Sequence, residues 1–157
     1  MRRRLWAEIL TSDVLHSFQV SLPTKSCQTD CDCAMPRNIR NDEFGSDSTE
    51  IPPPRPLSEQ TEVTYTVLNA QLLLILKEIM NRTSYNLNLG EEEIRKCEIT
   101  PSEAQATIAP FFQVFPVEEP ALVSAEIQSQ RIAFDRVYQL SRCMLYRRFL
   151  RRARTDP

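Results

Sequence analysis

Between Val67 and Met80 the chain places nine large apolar side chains on nearly every side of a helical projection: Val67, Leu68, Leu72, Leu73, Leu74, Ile75, Leu76, Ile79 and Met80. A helix that is apolar all round is stable only when neighbours cover it from more than one direction. This feature demands a buried central helix, and the rest of the chain has to supply its cover. Within it, Leu72 to Leu76 is the longest unbroken apolar run. A bilayer span takes about 20 such residues, so the segment is core and no membrane partner is expected.

The flanking pattern supplies that cover. Leu5, Trp6, Ile9, Leu10, Val14, Leu15 and Phe18 recur at spacings of three and four and predict a helix over 3–20, stopped by Pro23. The central helix is expected over about 60–82. Thr100-Pro101-Ser102-Glu103 has the form of a capping box with proline at the first helical position, which opens a short helix over 101–109. Helical periodicity from Leu122 to Leu150, with no glycine or proline after Pro120, predicts a long last helix over 120–152. The strongest apolar faces put Trp6, Leu10, Leu72, Leu76, Ile79, Phe134, Tyr138 and Leu145 in one core. Two glycines in 157 residues cannot furnish the tight turns of an all-β fold or a glycine-rich phosphate loop. The expected fold class is all-α. Residues 23–58 form a long irregular, Pro-rich connector between the first two helices, with an extended run at Pro52-Pro53-Pro54-Arg55-Pro56 and little to add to the core. Residues 154–157 read as a tail.

The net charge of −2 excludes the chain as a whole from electrostatic nucleic-acid binding. That average hides an asymmetry. Residues 40–62 carry six acids against Arg40 and Arg55, whereas residues 131–154 carry eight arginines against Asp135 alone. Arg147, Arg148, Arg151, Arg152 and Arg154 are candidates for weak phosphate contacts or an import signal. The alternative is the solvated face of a long helix, its cations complementing the C-terminal end of the dipole. Pro53 to Pro56 satisfies the minimal Pro-x-x-Pro ligand pattern, and an extended spacer explains the same composition.

No residues converge on catalysis or metal binding. Cys27, Cys31 and Cys33 cluster, but a structural zinc site wants two close ligand pairs. The remaining candidates, His16, Cys97 and Cys143, are remote and unpaired. No bound cofactor is expected, and the cysteines are read as free thiols. Five cysteines, without an apolar signal segment after Met1-Arg2-Arg3-Arg4, point to a reducing intracellular compartment and not to secretion. His16, the only histidine, has no partner that sequence can name. Nucleophile, phosphate-loop and zincin motifs are lacking, so no enzyme is expected.

Three stretches together resemble the fungal-specific transcription factor domain, the middle homology region of binuclear zinc-cluster regulators. The first begins Arg3-Arg4-Leu5-Trp6 and continues through Asp13, Asp30-Cys31-Asp32 and Pro36-Arg37-Asn38-Ile39 to Asp42-Glu43-Phe44. It is similar to the family's Arg-Arg-Leu-Trp helix, its Asp-Cys-Asp loop and its Leu-Pro-x-Asn-Ile segment. The second, Pro54 to Tyr65, resembles a Pro-rich lead into a helix start. The third runs from Gln130 to Leu150 through Arg142-Cys143 and Arg147-Arg148. Tyr146 stands where the family usually has histidine, and Pro101 interrupts a helix that is normally continuous.

The resemblance covers residues 2–152 and implies that residues 1–153 are the C-terminal part of that regulatory domain. It implies transcription regulation in the nucleus, without the zinc-cluster DNA-binding domain to which zinc would belong. Partners would be other segments of a transcription factor or co-regulator proteins, and sequence-specific DNA binding by this chain is not expected. Self-association is a further expectation, because the first helix carries an apolar face broader than one neighbour covers. The rival function is a helical protein-interaction module acting outside transcription.

Overall fold

The structure, a computed structural model, describes residues 2–26, 32–45, 47–85 and 124–155, together with Glu92, Arg95, Glu103 and Phe112; side chains are described to Thr83 and, in the last helix, to Arg147. Three α-helices carry the fold: α1 (Arg2–Val20), α2 (Thr64–Tyr85) and α3 (Ala125–Thr155). One 3-10 turn, Asn41–Glu43, lies between α1 and α2. Among the described residues there is no strand, and the fold is all-α. Of the helix expected over 101–109, Glu103 alone is described, and it is helical; most of the stretch from Asn86 to Val123 lies outside the described residues.

The all-round apolar helix sits in the middle. Both α1 and α3 pack against α2. The shared core joins Val14 of α1, Leu68, Leu72, Leu73, Leu76, Ile79 and Met80 of α2, and Phe134, Val137, Met144 and Leu145 of α3. Phe112 joins them and closes an aromatic trio. Its ring lies 5.2 Å from Phe134 and 6.2 Å from Tyr65, and Tyr65 lies 5.2 Å from Phe134, all at steep interplanar angles. Edge-on contacts of this kind suit the ring quadrupoles. Among the described residues no helix is long and apolar enough to cross a membrane.

Three members of the expected core lie outside the shared cluster. Trp6 and Tyr138 are only half-buried, and Leu10 is buried outside the shared cluster. The face of α1 that meets α2 is the stripe Ala7, Leu10, Val14 and Ser17. Leu5 is 62% and Ile9 49% exposed. One neighbouring helix covers only part of a broad apolar arc, and the narrower side chains of the stripe allow the closer approach. Val137 takes the buried place expected for Tyr138.

Helix ends follow local chemistry. The central helix, expected from about residue 60, begins at Thr64 because Thr61 caps it. Thr61 Oγ1 accepts from Val63 N at 3.1 Å, while Thr64 Oγ1 accepts from Thr61 N at 2.7 Å. This reciprocal pair satisfies donors that a helix start otherwise leaves open. Ser124 caps α3, its Oγ accepting from Ile127 N at 3.3 Å. At the end of α1, Leu22 N donates to Ser17 O at 3.0 Å and Ser21 N to Phe18 O at 3.3 Å, with Ser21 at φ 55°. That is the Schellman arrangement, with serine in the left-handed position usually given to glycine.

Candidate functional site

The connector is the most informative part of the molecule, and it corrects the expectation that it adds little to the interior. Pro36, Asn38 and Ile39 are buried, and Leu57 packs against the core. A buried irregular segment has to satisfy its polar groups without a regular ladder, and Asn38 does this. Its Nδ2 donates to the carbonyls of Pro56 at 2.9 Å and Glu59 at 3.0 Å, with that of Arg55 at 3.4 Å. Its Oδ1 accepts from Thr61 Oγ1 at 2.6 Å and Thr64 Oγ1 at 2.9 Å. Its backbone carbonyl accepts from Arg55 N at 2.8 Å. One side chain, 3% exposed, thus ties both limbs of the connector to the start of α2.

An ionic clasp closes the same loop. Arg55 Nε donates to Glu43 Oε1 at 2.9 Å, Nη2 reaches the same oxygen, and Nη1 reaches Glu59. Glu43 also accepts from Arg40 N at 2.8 Å, completing a capping box on the 3-10 turn. The hydrogen bond from Arg55, with that of Arg40 N, holds the Glu43 carboxyl below its ordinary value; the Arg55 guanidinium is pushed up.

A second clasp holds the exit of α1. Asp13 accepts from Ser26 Oγ at 2.6 Å, Ser26 N at 2.9 Å and Lys25 N at 3.3 Å. The buried Lys77 of α2 donates to Ser26 O. Burial alone would raise the Asp13 carboxyl, but the bonds from Ser26 and Lys25 and the nearby Lys77 charge outweigh it and hold it low.

At the start of α1, the connector and helix enclose a half-open cavity of about 320 Å³, lined by Arg2, Arg3, Arg4 and Arg37 and by Pro36, Ile39, Phe44 and Ile51. Arg4 Nη1 donates to Asn41 Oδ1 at 2.6 Å, and its guanidinium lies 5.5 Å from the Phe44 ring centre. A second cavity of about 370 Å³ lies between the N-terminal ends of α2 and α3, beside Tyr65, Phe112 and Ile127.

The family-motif residues divide accordingly. Arg4, Asp13, Pro36, Asn38 and Ile39 converge on the connector and its two clasps. Arg3, Leu5 and Asp32 are exposed and Trp6 is half-buried. Asp30 and Cys31 lie outside the described residues. On α3, Arg142, Cys143 and Arg147 are exposed, with Arg142 5.8 Å from the Tyr138 ring centre. The side chains of Arg148, Arg151, Arg152 and Arg154 lie outside those described. Among the described residues no group of His, Cys, Asp and Glu is arranged to hold a metal ion. Reading the sequence missed the roles of Arg55, Lys77 and Phe112.

Known proteins align with almost the whole chain. The Zn(2)-C6 fungal-type transcription factor mpsB of Macrophomina phaseolina is 28% identical over 99% of this chain, and pigI of Monascus ruber is 30% identical over 99%. The chain is homologous to fungal Zn(2)-C6 transcription factors. The Pyrrolocin cluster transcription factor fsdR of a fungal species is a further relative, 27% identical over 98% of this chain. The chain spans about a fifth of the length of these curated relatives: 21%, 19% and 20%. No family model and no solved structure matches it. The aligned region contains both the Asn38 network and the arginine-lined cavity, so the site belongs to the part shared with the Zn(2)-C6 factors.

Proposed function

We propose that this chain is a regulatory segment of a Zn(2)-C6-type transcription factor, acting in the nucleus through protein contacts and not through sequence-specific DNA contacts of its own. Near-complete alignment with a fifth of several such factors is the observation that carries this reading. The fold suits it. A central helix covered from two sides, with a connector fastened over its start, is a scaffold for holding neighbouring segments, and function lives in such sites rather than in the fold itself. Zinc belongs, in this reading, to a DNA-binding domain outside the chain. Catalysis is no part of it, since the relatives are transcription factors.

The test is to attach the chain to an unrelated DNA-binding domain in a fungal host and read a reporter carrying that domain's site. The proposal expects output to differ several-fold from that of the DNA-binding domain alone. Equal output, together with sequence-specific DNA binding by the isolated chain at moderate salt, would overturn it. Metal analysis of the purified chain is expected to show no stoichiometric zinc, and one zinc per chain would contradict that part.

A further inference from the structure

Four arginines line the cavity where α1 begins: Arg2, Arg3, Arg4 and Arg37. Among the described residues none of the four is in a salt bridge, and no carboxylate lines the cavity. The first turn of α1 carries no acid, so the partial positive charge of its exposed amides adds to that of the arginines. Arg4 is half-spent. Nη1 is bonded to Asn41, whereas Nη2 is shielded from water and has no hydrogen-bond partner among the described residues. A solvent-shielded cationic donor without an acceptor is costly unless something supplies one.

The other wall is apolar. Pro36 and Ile39 are buried, Phe44 is half-buried beneath the Arg4 guanidinium, and Ile51 is 61% exposed at the rim. Arg37 donates to the carbonyls of Ile51 and Pro52 at 3.4 Å, which anchors the rim loop beside the charges. Uncompensated positive charge against an apolar wall selects an anion with an apolar body. A volume of about 320 Å³ lies at the small end of the range for small-molecule sites, about 300–1,000 Å³.

We propose that this cavity binds a small organic monoanion, a carboxylate on a short apolar chain, with the head group at the arginines and the tail along Ile39, Phe44 and Ile51. The carboxylate would supply an acceptor beside Arg4, whose Nη2 has none among the described residues. The inference stands on the cavity alone and does not depend on the regulatory reading.

The probe is octanoate, titrated into the 157-residue chain by calorimetry and followed by amide chemical shifts. Saturable one-to-one binding is expected, with shifts confined to the start of α1 and to residues 36–51. Octanol and inorganic phosphate, which each lack one half of the ligand, should bind at least about tenfold more weakly. Ile51→Asp, and separately the pair Arg2→Gln and Arg3→Gln, change exposed side chains and should each weaken octanoate about tenfold or more with an unchanged circular dichroism spectrum. No saturable octanoate binding would overturn the proposal, and so would equal binding of octanol or of phosphate. An acidic apolar peptide that occupies the cavity and that octanoate does not displace would also overturn it.

Discussion

Asn38 and Thr64 stand 26 residues apart in sequence, and the Thr64 hydroxyl donates to the Asn38 side-chain oxygen at 2.9 Å. The bond joins the connector to the first turn of the central helix at a point closed to water. Thr64 is fully buried and Asn38 nearly so. Thr64 caps Thr61 while Asn38 holds both threonines, so helix start and connector are ordered by one network.

Removing Asn38 breaks that network at its centre. Asn38→Ala leaves buried hydroxyls and carbonyls without partners, each costing about 1–3 kcal/mol. A loss of at least about 2 kcal/mol is expected by denaturant unfolding. Asn38→Asp should be no better, because a carboxylate would face the carbonyls of Pro56 and Glu59. A loss below about 0.5 kcal/mol for either, the range of ordinary surface changes, would show that the connector is not fastened there.

Packing gives a second contrast. Leu76 is fully buried in the shared core, and Ile132 of α3 is 67% exposed. Leu76→Ala is expected to cost about 2–5 kcal/mol, and Ile132→Ala to stay within about 0.5 kcal/mol. Similar effects at the two positions would mean that the faces of α2 and α3 are misassigned.

Acid should loosen both clasps. Asp13 and Glu43 are held below their ordinary values in the folded chain. The folded state therefore binds these protons less readily than the unfolded one, and stability falls as pH drops. The contribution is present above the ordinary carboxylate values, about 3.9 for Asp and 4.3 for Glu. It is lost progressively below them, down through the lowered folded values. Asp13→Asn combined with Glu43→Gln should flatten the unfolding midpoint between about pH 5 and 2. An acid limb as steep as that of the parent chain would place the linkage elsewhere.

The end of α1 offers a stabilising change. Ser21 holds φ 55° at the Schellman position, where a left-handed backbone costs a non-glycine residue roughly 1–2 kcal/mol. Ser21→Gly should raise stability by several tenths to about 1 kcal/mol once glycine's greater unfolded freedom is subtracted. Ser21→Val, β-branched, should lower it. The opposite order in thermal unfolding would contradict the assigned turn.

What could be read in the sequence was whatever repeats locally. The 3.6-residue period located α1 and α3, which each bury one face, and apolar residues on nearly every side located the central helix, which is covered from two sides. The period could not say how much of a broad apolar arc a neighbour covers, so Trp6 and Tyr138 were placed too deep, while Ala7 and Val137 hold the contacts. The Asn38 network left no local trace, since its partners lie 17 to 26 residues away. Phe112 sits in a stretch without period, and its burial and its ring contacts with Tyr65 and Phe134 reveal it as core. The arginines at the start of α1 were visible as a motif. Their convergence with Arg37, Phe44 and Ile51 depends on how the connector folds back.

The proposed role is regulation of transcription without sequence-specific DNA contacts by the chain itself. Promoter occupancy and reporter output, measured in the same cells for the chain fused to an unrelated DNA-binding domain, test it most directly. The account predicts that fusing the chain changes output several-fold while occupancy equals that of the DNA-binding domain alone. Unchanged output, or a change that vanishes once divided by occupancy, would contradict it.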